Sequence, residues 1–233
     1  MNLKKHYNKE SKKWFKDICR EPEKYYTSWI NLSGFSGKTA VDLGCGAGTY
    51  SLELAKHFNR VYAIDFAENM LRELKANAKL KGIENIVPVH SDTRITHLSD
   101  SSVDFVFSSG LMECLEQPRI QLQEIRRILK PGGLACLRWL NRKGVWGRLE
   151  IIRNTMGSPS GIQNPGLYTV REIIQLCKSA NLQIKEIHKG IKYPLFLLPA
   201  AGMLEILIIK TKLVYALEKI NGGYYSVCTI LRK

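Results

Sequence analysis

From Thr39 onward, short runs of β-branched and apolar residues alternate with longer segments of helical period. A chain patterned this way folds into βαβ units around a parallel sheet. The pattern predicts strands at Thr39–Leu43, Arg60–Ile64, Ile86–His90, Val103–Phe107, Leu134–Trp139, Gln183–His188 and Ser226–Leu231. Helices are expected at about Thr49–Phe58, Glu68–Leu80, Arg119–Leu129 and Thr169–Ala180. In the third helix Ile120, Leu122, Ile125, Ile128 and Leu129 fall on one side, with Gln121, Glu124, Arg126 and Arg127 elsewhere. Its stop signal is Lys130-Pro131-Gly132-Gly133.

Three segments stand outside the alternation. Residues 1–35 mix charge with aromatic side chains (Tyr7, Trp14, Phe15, Tyr25, Tyr26, Trp29) and suit an N-terminal cap. Residues 141–167 hold a short helical stretch and then turn signals, Gly157-Ser158-Pro159-Ser160-Gly161 and Asn164-Pro165-Gly166. Residues 193–222 form an apolar helical insertion before the last strand. With 233 residues, 45% hydrophobic and 24% charged, the chain reads as one domain over 1–233: a cap, a core at 39–140, and lids or insertions at 141–167 and 193–222.

The strongest chemical signal is Val41-Asp42-Leu43-Gly44-Cys45-Gly46-Ala47-Gly48-Thr49, between a predicted strand and a predicted helix. Three alternating glycines let the backbone turn sharply and approach a ligand, and the helix start behind them offers unpaired N–H groups. Asp65 closes the next strand, Val61-Tyr62-Ala63-Ile64-Asp65. An acid there can accept both hydroxyls of a ribose. A dinucleotide reading is disfavoured, because an acid (Asp42) precedes the glycines and Thr49 stands where the third dinucleotide glycine or alanine belongs.

The pattern Asp-x-Gly-x-Gly-x-Gly resembles the first motif of class I S-adenosylmethionine-dependent methyltransferases. The resemblance continues through Asp65-Phe66-Ala67-Glu68-Asn69-Met70-Leu71, His90-Ser91-Asp92-Thr93, Val103-Asp104-Phe105-Val106-Phe107-Ser108 and Leu129-Lys130-Pro131-Gly132-Gly133. It implies an α/β fold: a Rossmann-like, seven-stranded, mostly parallel sheet with helices on both faces and an antiparallel last strand. By the same resemblance, S-adenosylmethionine is the cofactor and S-adenosylhomocysteine its product. Gly44, Gly46 and Gly48 would shape the loop around the methionine portion, and Asp42 would orient that loop or reach the methionine amino group through water. Asp65 would hold the ribose diol, and Phe66 and Met70 would pack on the adenine. Asp92 would accept from the adenine amino group, with the backbone of Thr93 beside the ring. The Ser108 carbonyl would sit near the methionine amino group. Core packing for Met70 and loop bracing for Asp42 stand as alternatives.

Methyl transfer from a sulfonium is a direct displacement, which needs alignment in a dry pocket and a general base only if the acceptor requires one. The segment Ser108-Ser109-Gly110-Leu111-Met112-Glu113-Cys114-Leu115-Glu116 lies where family members carry acceptor-specific groups. It lacks the Asn/Asp-Pro-Pro-aromatic signature of base methylation, a Pro-Cys nucleophile, and an acid at 108 or 109 that would hold magnesium. These features favour a small-molecule, metal-independent reaction, as in the quinone and natural-product branch, where a His or Tyr often takes the place of Cys114. His6, Tyr7, Glu113, Cys114 and Tyr168 are the candidates for a catalytic group, each with a packing role as its alternative.

Thirty-five Lys and Arg against 21 Asp and Glu give a net charge of +14. Such a balance suits nucleic acid, an anionic membrane surface or simple solvation. Once nucleotide contact is assigned to a glycine loop and an acid, nucleic acid becomes the less favoured partner. The insertion at 193–222 could cover the sheet edge, form a lid for a hydrophobic acceptor or meet a membrane surface, or make a homodimer interface; monomer and homodimer both stay open. Six scattered cysteines without a C-x-x-C pair suggest a reduced, cytoplasmic chain without structural metal. The rival functions are an RNA or protein methyltransferase docking through the basic surface and a non-catalytic module that keeps the cofactor fold.

Overall fold

The computed structural model describes residue 8 and residues 32–143, 166–190 and 226–233. Seven strands form one sheet: β1 (Gly37–Leu43), β2 (Phe58–Asp65), β3 (Ile86–His90), β4 (Val103–Ser108), β5 (Leu129–Leu140), β6 (Gln183–Gly190) and β7 (Ser226–Arg232), in the order β3-β2-β1-β4-β5-β7-β6. The pairs β1–β2, β2–β3, β1–β4 and β4–β5 are parallel. β7 runs antiparallel to both β5 and β6, as the expected last strand should. Helices α1 (Thr49–Leu54), α2 (Glu68–Leu80), α3 (Pro118–Ile128) and α4 (Val170–Ser179) connect the strands.

Central strands with helices on both faces bury both sides, so their sequences run nearly continuously apolar. Alternate residues then serve different cores. Val41, Leu43 and Val106 pack with Leu122, Ile125, Trp139 and Ile173 under α3 and α4. Ala40, Phe105 and Phe107 face the other way, against Leu54 and Phe58. Three rings stack on that side, Phe35 on Phe105 at 4.6 Å and Phe58 on Phe105 at 5.4 Å. α4 begins with a reciprocal cap: Thr169 Oγ1 accepts from the Glu172 N–H, and the Glu172 carboxylate accepts from the Thr169 N–H at 2.7 Å.

Three local expectations are corrected. The first helix was expected to reach Phe58 but ends at Leu54, and Phe58 opens β2 because its ring completes the stack on Phe105. β5 starts at Leu129, so the Lys-Pro-Gly-Gly signal ends the helix yet runs straight into strand, with an irregular register against β4 between Val103 and Phe105. In α3 the faces differ from the expected split: Ile120 is 40% exposed, whereas Gln121 and Glu124 are buried. Both polar side chains turn inward because the loop after β3 supplies them with partners, described below.

The segments 1–7, 9–31, 144–165 and 191–225 lie outside the described residues, and with them Tyr7, most of the cap and nearly all of both insertions. Among the described residues, no helix is long and apolar enough to cross a membrane. Among the described residues, Cys45, Cys114, Cys136 and Cys177 are not joined in disulfides.

Candidate functional site

The strand order reverses between β1 and β4, and the crevice at the C-terminal ends of these strands is where open α/β sheets bind ligands. The glycine loop leaves β1 at that point. Its first two N–H groups, of Gly44 and Cys45, donate to the Ile64 carbonyl of β2 at 2.9 and 3.1 Å. Gly46 and Gly48 have φ of +53° and +92°, a region closed to most side chains. A Cβ at Gly48 would stand 2.7 Å from Leu74 Cγ, so α2 itself demands a glycine there. At Gly46 a Cβ would meet nothing within 4 Å, which leaves open space on the loop's outer side.

Asp65 ties the loop down. Its Oδ2 accepts from the Gly46 N–H at 2.9 Å and its Oδ1 from the Ala67 N–H at 2.8 Å. A carboxylate offers about four acceptor positions, so capacity for a diol remains. Burial raises its pKa, while the bonds from Ala67 and Gly46 pull the other way. Asp42 sits deeper, 2% exposed, and takes a 2.6 Å bond from Ser51 Oγ in α1. Burial pushes its pKa up to about 7, with the nearby Asp65 charge adding to the rise and the Ser51 bond opposing it. Asp42 thus braces the helix behind the loop.

Beyond Asp65, Phe66 is half-buried, and Met70 packs with Ala47 and Ala67 beneath the loop. Asp92 and Arg94 form an exposed fork, with Arg94 Nε at 2.9 Å from Oδ1 and 3.2 Å from Oδ2. Thr93 is buried and locked: its Oγ1 donates to Gln121 Oε1 at 2.8 Å, and Gln121 Nε2 donates to the Thr93 carbonyl at 2.9 Å. Next along, Glu124 accepts from the Thr96 N–H at 2.8 Å and from Arg127 Nε at 2.7 Å. Arg127 and Thr96 hold its carboxyl down at about 2 against the effect of burial. Gln121 and Glu124 therefore fix the loop after β3, a role that placing them off the apolar side of the helix missed. The signal was present, since Gln121 stands four and seven residues before Ile125 and Ile128. Asn8 was missed too; it meets the first turn of α2, where the Asn69 N–H donates to its Oδ1 at 3.0 Å.

On the other side of the crevice, Ser108 ends β4, fully buried, its Oγ bonded to the Leu43 carbonyl at 3.0 Å. The following turn carries Glu113 and Cys114, whose Sγ lies 3.5 Å from the Gly110 carbonyl. Tyr168 arrives from the segment before α4 and packs edge-on against Trp139 at 5.3 Å. Glu113, Cys114 and Tyr168 are therefore neighbours of this edge. Among the described residues, no group of His, Cys, Asp and Glu is arranged to hold a metal ion.

Residues 41–137 match the family model described as a methyltransferase domain. Demethylmenaquinone methyltransferase of Geobacillus stearothermophilus is 28% identical over 148 residues, 58% of this chain and 59% of that protein. The enzyme of that name from Staphylococcus saprophyticus is 32% identical over 132 residues, covering 55% and 52%. The chain thus spans about half the length of the curated relatives it matches. In fold, a SAM-dependent methyltransferase from Aquifex aeolicus superposes with a TM-score of 0.62 at 20% identity, over 96% of this chain and 97% of that one. The match to the methyltransferase-domain model runs from β1 into β5, across the loop, the acid and the strands that hold them, and the whole chain is similar in fold to a SAM-dependent methyltransferase.

Proposed function

We propose that the chain transfers a methyl group from S-adenosylmethionine to a small, hydrophobic acceptor by direct displacement, without a metal. The observation that carries the reading is the Asp65–Gly46 bond, which sets a buried acid beside an open left-handed glycine at the sheet's reversal point. In that arrangement the loop from Gly44 to Gly48 receives the methionine end, and the remaining acceptor positions of Asp65 take the ribose diol. Phe66 covers the adenine, with Met70 supporting the floor beneath the loop. Asp92 accepts from the adenine amino group by sharing its carboxylate with Arg94, and the backbone of Thr93, held by Gln121, lies along the ring. The Ser108 carbonyl faces the methionine ammonium. Asp42 acts through Ser51 as the loop's brace.

Bound S-adenosylmethionine supplies an electrophilic methyl on a positively charged sulfur. The protein's part is to orient the acceptor in line and exclude water. A small-molecule acceptor is supported by the segment 108–116, which lacks the signatures of base methylation, and by the relatives' names as quinone-precursor methyltransferases. A hydrophobic one fits the apolar run of 193–222. Incubation of the full chain with methyl-labelled cofactor and fractionated cell extract should place label in lipid-soluble or aqueous small molecules. Label found only in RNA or protein would overturn the acceptor class.

A further inference from the structure

The C-terminal edge of β4 and β5 gathers a second set of groups beside the cofactor loop. β4 ends at Ser108, paired with Leu43 of β1 and Leu137 of β5. The chain then passes through Gly110, at φ +85°, into a single 3-10 turn, Met112–Cys114. This turn folds the Glu113 side chain back, so that Oε1 lies 3.9 Å from where a Cβ of Gly110 would stand. Glu113 Oε2 is buried and has no hydrogen-bond partner among the described residues.

Arg138, the residue after Leu137 on β5, donates from Nη1 to Ser109 Oγ at 3.3 Å. Its positive charge acts on Glu113. The far side is closed by Gly166, whose N–H donates to the Glu113 carbonyl at 2.6 Å. The Tyr168 hydroxyl folds onto Gly166, 2.6 Å from where a Cβ would be. Among the described residues, the charged and titratable groups around Glu113 are Arg138 from β5, Tyr168 from the segment before α4, and Cys114 on its own turn.

A carboxyl oxygen buried without a partner is costly, and one that is kept calls for a physical explanation, of which a catalytic role is one. Burial raises the pKa of Glu113, and the Arg138 charge and a backbone hydrogen bond oppose the rise. It stands five residues beyond Ser108, the last residue of β4.

We propose that Glu113 is the proton acceptor for the methyl acceptor, with Arg138 as the positioning residue that supplies its countercharge, so that the site takes a hydrophobic molecule whose nucleophile is a hydroxyl or an amine N–H. This rests on the cofactor reading above. In the step, the acceptor's oxygen or nitrogen lone pair forms the bond to the methyl carbon while the carbon–sulfur bond breaks and its electron pair stays on sulfur. The acceptor's proton passes to the Glu113 carboxylate. The negative carboxylate and the positive sulfur are both neutralised, a favourable change where water is excluded.

The probes are 2-naphthol and 2-methoxynaphthalene, alike except that the second has no O–H, titrated into the full chain saturated with S-adenosylhomocysteine. Wild type should bind 2-naphthol at least about tenfold more tightly, and Glu113→Gln should lose that preference while holding S-adenosylhomocysteine within about twofold. With labelled cofactor, Glu113→Gln should cut methyl transfer to 2-naphthol by about 10²–10⁴ and abolish the acid limb of the pH profile. Arg138→Gln should move that limb to higher pH. If Glu113→Gln does not fold, the Glu113→Gln/Arg138→Gln pair removes both charges and must be as inactive. Wild-type protein that binds S-adenosylhomocysteine yet shows no preference for 2-naphthol, or a Glu113→Gln variant within about threefold of wild type, overturns the proposal. Failure to bind S-adenosylhomocysteine sinks the cofactor reading instead.

Discussion

Asp65, the last residue of β2, accepts the Gly46 N–H through one oxygen at 2.9 Å and the Ala67 N–H through the other at 2.8 Å. One side chain therefore joins the loop after β1 to the loop before α2. Shape and ligand contact are coupled at this residue: whatever disturbs the acid also releases the middle glycine of the loop.

Two of the loop's three left-handed glycines, Gly46 and Gly48, should fail differently. Gly48→Ala sets a Cβ 2.7 Å from Leu74 Cγ at φ +92°, adding overpacking to backbone strain, and should cost about 2–4 kcal/mol of folding stability. Gly46→Ala meets no neighbour within 4 Å and should cost about 1–2 kcal/mol, while losing most cofactor affinity because its methyl points into the open side. Urea unfolding and cofactor titration of the two variants separate these outcomes.

Stability should fall as pH rises through the window set by Asp42. Its carboxyl titrates near 7 in the fold against 3.8 ordinarily, so between those values the folded state holds a proton that the unfolded chain has released. The sign follows: the folded form is favoured at the acid end and loses up to about 4 kcal/mol toward neutral pH. Asp65 shifts in the same direction. Asp42→Asn should flatten the slope in unfolding free energy measured from pH 4 to 7; an unchanged slope would refute the assignment. Glu124 works the opposite way, its contribution being present above 4.5 and lost as pH falls toward 2.

The reversed faces of α3 give a paired test. Gln121→Leu leaves the buried Thr93 carbonyl without its 2.9 Å partner and should cost about 1–3 kcal/mol, with weaker cofactor binding as the loop after β3 loosens. Ile120→Gln, at a position 40% exposed, should stay within about 0.5 kcal/mol of wild type. Equal effects would contradict the described packing.

Much of the scaffold was legible in the chain. β3 and α2 fall on their expected bounds, Ile86–His90 and Glu68–Leu80, because turn-forming residues punctuate strong local periods. The glycines and Asp65 could be found for a similar reason: their spacing is local. The errors occur where distant residues decide. Phe58 fits a helix end until Phe105, far along the chain, stacks on its ring. Gln121 and Glu124 fall off the apolar side of the helix until Thr93 and Thr96 arrive from a loop 28 residues away. Glu113 was legible as a candidate, but Arg138 beside it was not, since only the pairing of β4 with β5 brings the two together.

We propose that Asp65 and the loop it ties form the binding site for S-adenosylmethionine. Isothermal titration of S-adenosylhomocysteine into the full chain and into Asp65→Ala tests it directly. Binding by wild type, weakened in Asp65→Ala by about 1–3 kcal/mol as charge-assisted hydrogen bonds are lost, is the expected result. No binding by wild type, or equal affinity in the two proteins, would contradict the account.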